Sequence, residues 1–427
     1  MGERRMSERD GSVEVAEAVG SRRGNARLIV VLGALSAFGP ITTDLYLPSL
    51  PQAAASLHAS QAGIQLSLTT CLVGLALGQL LAGPLSDRWG RRRPMIAGMA
   101  VFTIASALCA VAPTVALLDG ARLLQGLAGA AGIVISFAIV RDRWSGTQGA
   151  RAFSILLGVS GAAPIIAPVA GAQLLRVIDW RGLFWVLAGL GLIFLIIAIV
   201  GVPETLPPQA RHRGELTATF ATLRRIAVVP EFAGYALAGA LAFAAMFAYI
   251  SASSFVFQTL FALSAQVFGL IFAVNGVGIM LANALNIRLL RRWSPRRVLD
   301  LGLAGVCTGA IVLLIVALAH GGAVAIEIPL FVMVSSIGLT LPNAAALALE
   351  RFGDASGSAS ALVGCTQFVL GAAVAPLVGL GGRSAIPMGV VTVSVAVLAV
   401  VARVGLVRLG GRSAEPTATR SDADPNT

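Results

Sequence analysis

Twelve long apolar runs govern what this chain can become. They lie roughly at 28–47, 62–86, 95–113, 115–140, 153–175, 182–202, 232–257, 266–289, 297–319, 323–349, 357–380 and 385–407. Most match the ~20 residues an α-helix needs to cross ~30 Å of hydrocarbon. They are rich in Ala, Leu, Val and Gly and lack period-two alternation, which favours helices over an outer-membrane barrel. Only 12% of the residues are charged, against ~25% in a soluble domain, so the medium this chain is built for is a lipid bilayer. Pro113 and Thr114 leave so short a gap that runs three and four must form a tight helical hairpin.

The formal charge of +11 is read through its placement. All 31 basic residues are Arg. Arg176, Arg181 and Arg383 alone fall in loops on the side of the loop after run one; most others sit opposite, in Arg22 to Arg27, Arg88 to Arg93, Arg141 to Arg151, Arg211 to Arg225 and Arg291 to Arg297. Short positive loops stay in the cytoplasm, so both termini are predicted there, in a bacterial inner membrane, and no nucleic-acid partner is implied. The polar first 26 residues carry no apolar core with a cleavage site and are expected to be a disordered cytoplasmic tail, as are 409–427. Cys71, Cys109, Cys307 and Cys365 lie inside runs without a C-x-x-C pair, and His58, His212 and His320 lie in loops, so neither a metal nor a cofactor is expected. No G-x-x-x-x-G-K loop and no Lys exist to serve ATP. An enzyme would need clustered His, Cys or carboxylates or an appended soluble domain, and none is visible.

The polar stretch 203–231 divides six runs from six. "LSDRWGRRRPM" (85–95) and "LLRRWSPRRVL" (289–299) align at a shift of 204, placing Trp89 on Trp293; basic composition alone could also produce such a match. The expected organisation is an all-α membrane protein with two six-helix bundles, 27–202 and 232–408, joined by a cytoplasmic linker, 203–231, with a site between the halves near the midplane.

Four stretches carry the chemistry. In the loop after run two, "GPLSDRWGRRRPMIAG" (83–98), Gly83 and Gly90 allow close approach and a tight turn, and Asp87 sits among Arg88, Arg91, Arg92 and Arg93. Run four holds "LLDGARLLQGLAGAAG" (117–132), where Arg122 costs about 2.5–3.5 kcal/mol to insert unless paired or solvated. Asp119, one turn away, is available to pair with it, which would make the arginine structural. Run five holds "GVSGAAPIIAPVAGA" (158–172), with small residues for close packing and Pro164 and Pro168 to permit kinking. Run one ends in "GPITTDLYLPSLP" (39–51). Its Asp44 is deep enough that loss of water favours a carried proton, or else caps the helix at the periplasmic surface, where Pro48 would end it. Tyr46 offers either a ligand hydroxyl or an interfacial anchor.

The loop at 83–98 resembles the signature of the major facilitator superfamily, G, x, L, x, D, R, x, G, R, R. That resemblance implies a cytoplasmic gate of Gly83, Asp87, Arg88, Gly90, Arg91 and Arg92, with Asp87 against the positive end of helix 11, Arg91 on Asp142 and Glu204 of "VPETL" in the same network. The second half has Arg291 in place of Asp87, so the lock would be asymmetric. Arg122, Gln125 and Gly126 resemble the family's helix 4 motif, tied to proton transfer. Gly161, Pro164, Pro168 and Gly171 resemble the helix 5 antiporter motif, although Ala167 and Ala172 replace two of its glycines. "TTDLYLPSLP" resembles the first-helix signature of the bicyclomycin and chloramphenicol resistance branch of drug:proton antiporters.

The expected function is therefore multidrug efflux driven by protons as the coupling ion, with Asp44 and Arg122 in proton coupling and a monomer as the working unit. Shifting Asp44 by 204 lands on Ala248, and the expected cavity is lined by Tyr46, Gln125, Phe247, Tyr249, Gln258, Asn275, Asn343 and Gln367. That mixture suits neutral or weakly charged amphiphiles. The rival is a proton-coupled importer of a small metabolite, separated by the direction of transport.

Overall fold

The computed structural model describes residues 27–211, 216–352, 356–380 and 384–413; the expected tail 1–26 and residues 414–427 lie outside them, whereas 409–413, expected in the C-terminal tail, continue the last helix. Among the described residues there are helices and no strands. Eleven of the described helices are long and apolar enough to span a membrane, twelve if the pair 27–36 and 38–56, bent by 41°, counts as one span. We name the helices α1 (Arg27–Ser36), α2 (Phe38–Asp44), α3 (Leu50–Ser56), α4 (Gln61–Trp89), α5 (Arg92–Val111), α6 (Val115–Arg143), α7 (Gly146–Leu174) and α8 (Trp180–Gly201). After them come α9 (Leu216–Ala227), α10 (Pro230–Phe255), α11 (Ala265–Leu289), α12 (Pro295–Leu318), α13 (Ala323–Leu349), α14 (Ser356–Gly379) and α15 (Ile386–Ser413).

Run one does not stop at 47. A 3₁₀ turn, Leu47–Ser49, and then α3 carry the helical path to Ser56. Pro48 and Pro51 fall within the first two positions of these segments, where a proline lacks no needed N–H and its fixed φ suits a helix start. Proline here restarts the helix rather than ending it. The 115–140 run extends to Arg143, and Thr114 caps its start by accepting from the Leu117 N–H at 3.3 Å. The expected linker 203–231 contains α9, a short helix with Arg224 and Arg225 in its last turn; linker residues 212–215 lie outside the described set.

The chain divides into two compact units: residues up to Arg213 with Ser253–Gly276, and Gly214–Ala252 with Val277 onward. In the first, a core of Leu32, Leu35, Phe38, Met95, Met99, Phe102, Ile135 and Ile139 is fully buried, with Phe38 edge-on to Phe102 and Phe194 at 4.8 and 5.1 Å. Ile104, Leu108, Leu117, Ile196 and Val200 are exposed. That pattern suits a lipid-facing surface, where packing and not water exclusion holds helices together. A Cβ on Gly74 would strike the Leu123 carbonyl, and one on Gly126 the Cys71 carbonyl, so α4 and α6 approach backbone to backbone.

The second unit also has a glycine at the matching crossing, here against side chains. Gly278 of α11 packs on Phe331 and Ser335 of α13, and Gly278 follows Gly74 by the 204 residues that separate Trp293 from Trp89. A glycine at the same register of the matching helix pair supports an internal repeat beyond the likeness of two basic loops. Glu231 pairs there with Arg351 at 2.7 Å and Arg296 at 3.7 Å, and Asp300 pairs with Arg403 at 3.1 Å.

Candidate functional site

The break after α2 is where the first unit concentrates its polar chemistry. Asp44 is the last residue of α2 and is 4% exposed. Thr43 Oγ1 donates to Asp44 Oδ1 at 3.0 Å. The acid is thus interior and not a surface cap. Tyr46 and Ser49, just past it, are fully buried.

The glycine crossing of α4 and α6 lets Arg122 reach this break. Its Nη1 donates to the Thr42 carbonyl at 2.9 Å and to Gln125 Oε1 at 2.6 Å, and Nε donates to the Ser67 carbonyl at 3.3 Å. Gln125 Nε2 donates in turn to Ser106 Oγ at 2.7 Å. The rings of Tyr46 and Phe184 lie 5.4 and 5.6 Å from the guanidinium carbon, close enough for attraction between cation and ring face. Arg122 is fully buried, and no ion pair joins it to Asp44 or Asp119. Gln125 and Tyr46, both marked in the sequence, are among its partners, but the backbone carbonyls of Thr42 and Ser67 that hold it have no sequence signature. Thr42, Ser67, Ser106 and Phe184 were missed; hydroxyls inside apolar runs were the available signal for the first three, and Phe184 offered none.

The helix 5 motif packs on the same break. A Cβ at Gly171 would strike the Leu45 carbonyl, so only glycine fits there. Pro168 is buried, Pro164 is half-buried, and Gly161 has open space around it. At the residue after Gly171 in α7, Gln266 Nε2 donates to the Ala172 carbonyl at 2.9 Å. Gln258, in a π-helical turn after α10, donates to the Pro48 carbonyl at 3.0 Å. Asp44, Tyr46, Arg122, Gln125, Gln258 and Gly171 thus converge within the first unit.

The other expected cavity residues are spread more widely. Asn275 belongs to the first unit and is buried. In the second unit, Phe247 stacks on Phe243 at 6.0 Å, Tyr249 is buried and Gln367 is half-buried. Asn343 donates to Asn286 Oδ1 at 2.7 Å, cross-linking α13 to α11, two residues before Arg288 of α11.

At the arginine-rich end of the first unit, Gly90 adopts φ 86° and ψ 166°, a region essentially closed to other residues. The turn frees the start of α5, and the Glu204 carboxylate fills it, accepting from the N–H groups of Arg91 at 2.8 Å and Arg92 at 3.3 Å. An acid at a helix N-terminus is favourable. Arg91 Nε donates to Asp142 Oδ2 at 2.7 Å, while Nη1 donates to Ser86 Oγ at 2.7 Å and to Asp87. Burial works against the Arg91 charge, but hydrogen bonds to Asp142 and Asp87 outweigh it and hold the guanidinium pKa above its usual value. Arg92 Nη2 donates to the Ile199 carbonyl at 2.6 Å. Arg88 is exposed. Gly83 packs loosely against Val134.

The Major Facilitator Superfamily profile matches residues 30–376. The chain is 36% identical to the uncharacterized MFS-type transporter YdgK of Bacillus subtilis, over 89% of this chain and 95% of that one. It is 30% identical to the bicyclomycin resistance protein homolog of Haemophilus influenzae, over 82% and 88%. It is 37% identical to the multidrug resistance protein MdtL of Escherichia coli O45:K1, over 43% and 46%. Its fold is that of a bacterial homologue of the human lysosomal transporter Spinster, with TM-score 0.72 at 14% identity over 91% and 97% of the two chains. Apolar helices, an internal repeat, the glycine turn with its carboxylate network and these likenesses converge: this chain belongs to the major facilitator superfamily.

Proposed function

We propose that the protein is a proton-driven exporter of small neutral or weakly charged organic drugs, acting as a monomer in a bacterial inner membrane with both termini cytoplasmic. The observation that carries the reading is the joint burial of Asp44 and Arg122 at one helix break, with Arg122 gripping the Thr42 carbonyl two residues before the acid. Relatives named for bicyclomycin and multidrug resistance support the cargo class. The coupling ion is the proton and no other cofactor takes part.

In this account Asp44 takes a proton while open to the outside, which removes its charge and lowers affinity for drug. Open to the cytoplasm, it releases the proton and admits drug. Arg122 favours the ionised acid, and a change at Asp44 reaches the guanidinium through the short backbone between Thr42 and Asp44. Proton and drug then oppose one another by the same free energy in both directions. The network of Asp87, Arg91, Asp142 and Glu204 acts as the cytoplasmic gate.

The test is accumulation of neutral, anionic and cationic antibiotics in cells producing the protein, with and without a protonophore. Export predicts lower accumulation that the protonophore restores. Higher accumulation, reversed by the protonophore, would establish the importer instead.

A further inference from the structure

Three buried side-chain atoms on α6 have no partner, and two of them, on Asp119 and Arg122, lie one helical turn apart. Arg122 Nη2 is shut off from solvent with no acceptor, and Asp119 Oδ1 is shut off with no donor. Asp119 itself is half-buried, near the start of α6 and at the end opposite Arg141 and Arg143. One carboxylate oxygen therefore faces inward from a residue that still meets the outer surface of the unit. Residues three apart on a helix share a face.

We propose that Asp119 is a second proton-binding site and that Arg122 alternates between the Thr42 carbonyl and the Asp119 carboxylate. An ionised oxygen with neither water nor a donor is costly, whereas the same oxygen of a neutral acid is tolerated. In the arrangement described, Asp119 holds its proton. When the guanidinium turns to it, the O–H bond breaks, the proton passes to water, and the two unpartnered atoms satisfy each other. The return step takes one proton from water and restores the bond to Thr42, releasing or gripping the backbone that carries Asp44. No electron moves.

The titratable groups in electrostatic reach of this pair are Asp44 and Tyr46 from the first span, Cys71 of α4 and Cys109 of α5. Asp44 is the only other acid among them. The purpose assigned to Asp119 rests on the drug:proton reading above; its test does not.

Infrared difference spectra of the purified full-length protein, recorded across a pH titration without drug, report protonated carboxyl groups directly. One C=O band is expected to vanish in Asp44→Asn and a different one in Asp119→Asn, with Asp119→Glu returning the latter at a shifted frequency. Arg122→Gln is expected to move the midpoint of the Asp119 band by about tenfold in proton concentration, or one pKa unit. An Asp119→Asn spectrum identical to wild type overturns the second site, as does a midpoint indifferent to Arg122→Gln. Failure of drug transport alongside the stated Asp119 band would sink the exporter reading alone.

Discussion

Removing Arg91 should destabilise the first unit far more than removing the motif acid Asp87. The Arg91 and Asp142 side chains are 4% and 14% exposed and meet at 2.7 Å, whereas Asp87 is 43% exposed. Breaking a buried pair by deleting one partner strands the other charge and costs about 3–5 kcal/mol. A pair with one exposed partner contributes about 0–1 kcal/mol. Thr205 Oγ1 still reaches Asp142 at 3.2 Å, which places Arg91→Ala near about 3 kcal/mol and Asp87→Asn below about 1 kcal/mol. Arg91→Lys should fall between, since an ammonium cannot reproduce the fork that reaches Asp142, Ser86 and Asp87 together. Equilibrium unfolding in detergent, with a double-mutant cycle on Arg91 and Asp142, measures each value. The reasoning is refuted if Asp87→Asn destabilises as much as Arg91→Ala, or if the Arg91–Asp142 coupling is below about 0.5 kcal/mol, the lower range for residues in one network.

Three further outcomes follow from backbone geometry. Gly90→Ala should cost about 1–3 kcal/mol from its φ and ψ alone, and should also displace Glu204, so Glu204→Gln in that background should cost less than in wild type. Gly171→Val should abolish transport while the protein still inserts, because its side chain meets the Leu45 carbonyl beside Asp44; retained transport would mean that α7 and the break are looser than described. Gly126→Val should separate α4 from α6 at an overpacking cost of about 1–3 kcal/mol and lower transport by breaking the long Arg122 to Ser67 bond, whereas the same change at exposed Gly120, with open space around it, should be mild.

The fold was legible because a bilayer dictates segment length and polarity so strictly that apolar runs map almost directly onto helices. Side-chain identity likewise marked Asp44 and Arg122, since charge inside a span is rare. What sequence could not show was who holds them. Arg122 is held by the carbonyls of Thr42 and Ser67, and every residue carries a carbonyl. Pro48 read as a helix end because proline terminates helices from within, yet the chain uses it at the start of the next segment. Glu204 was legible as part of a charge network, but its grip on the N–H groups of Arg91 and Arg92 depends on the turn at Gly90. Asn343 looked like a cavity amide, and its partner Asn286 depends on a helix register that composition does not fix.

If Asp44 couples drug to proton, proton movement in inverted membrane vesicles depends on it. With wild type, the responding antibiotics should discharge an imposed proton gradient; with Asp44→Asn, present at equal level in the membrane, the same compounds should leave it intact. An equal response from the mutant would make Asp44 a structural acid and contradict the account.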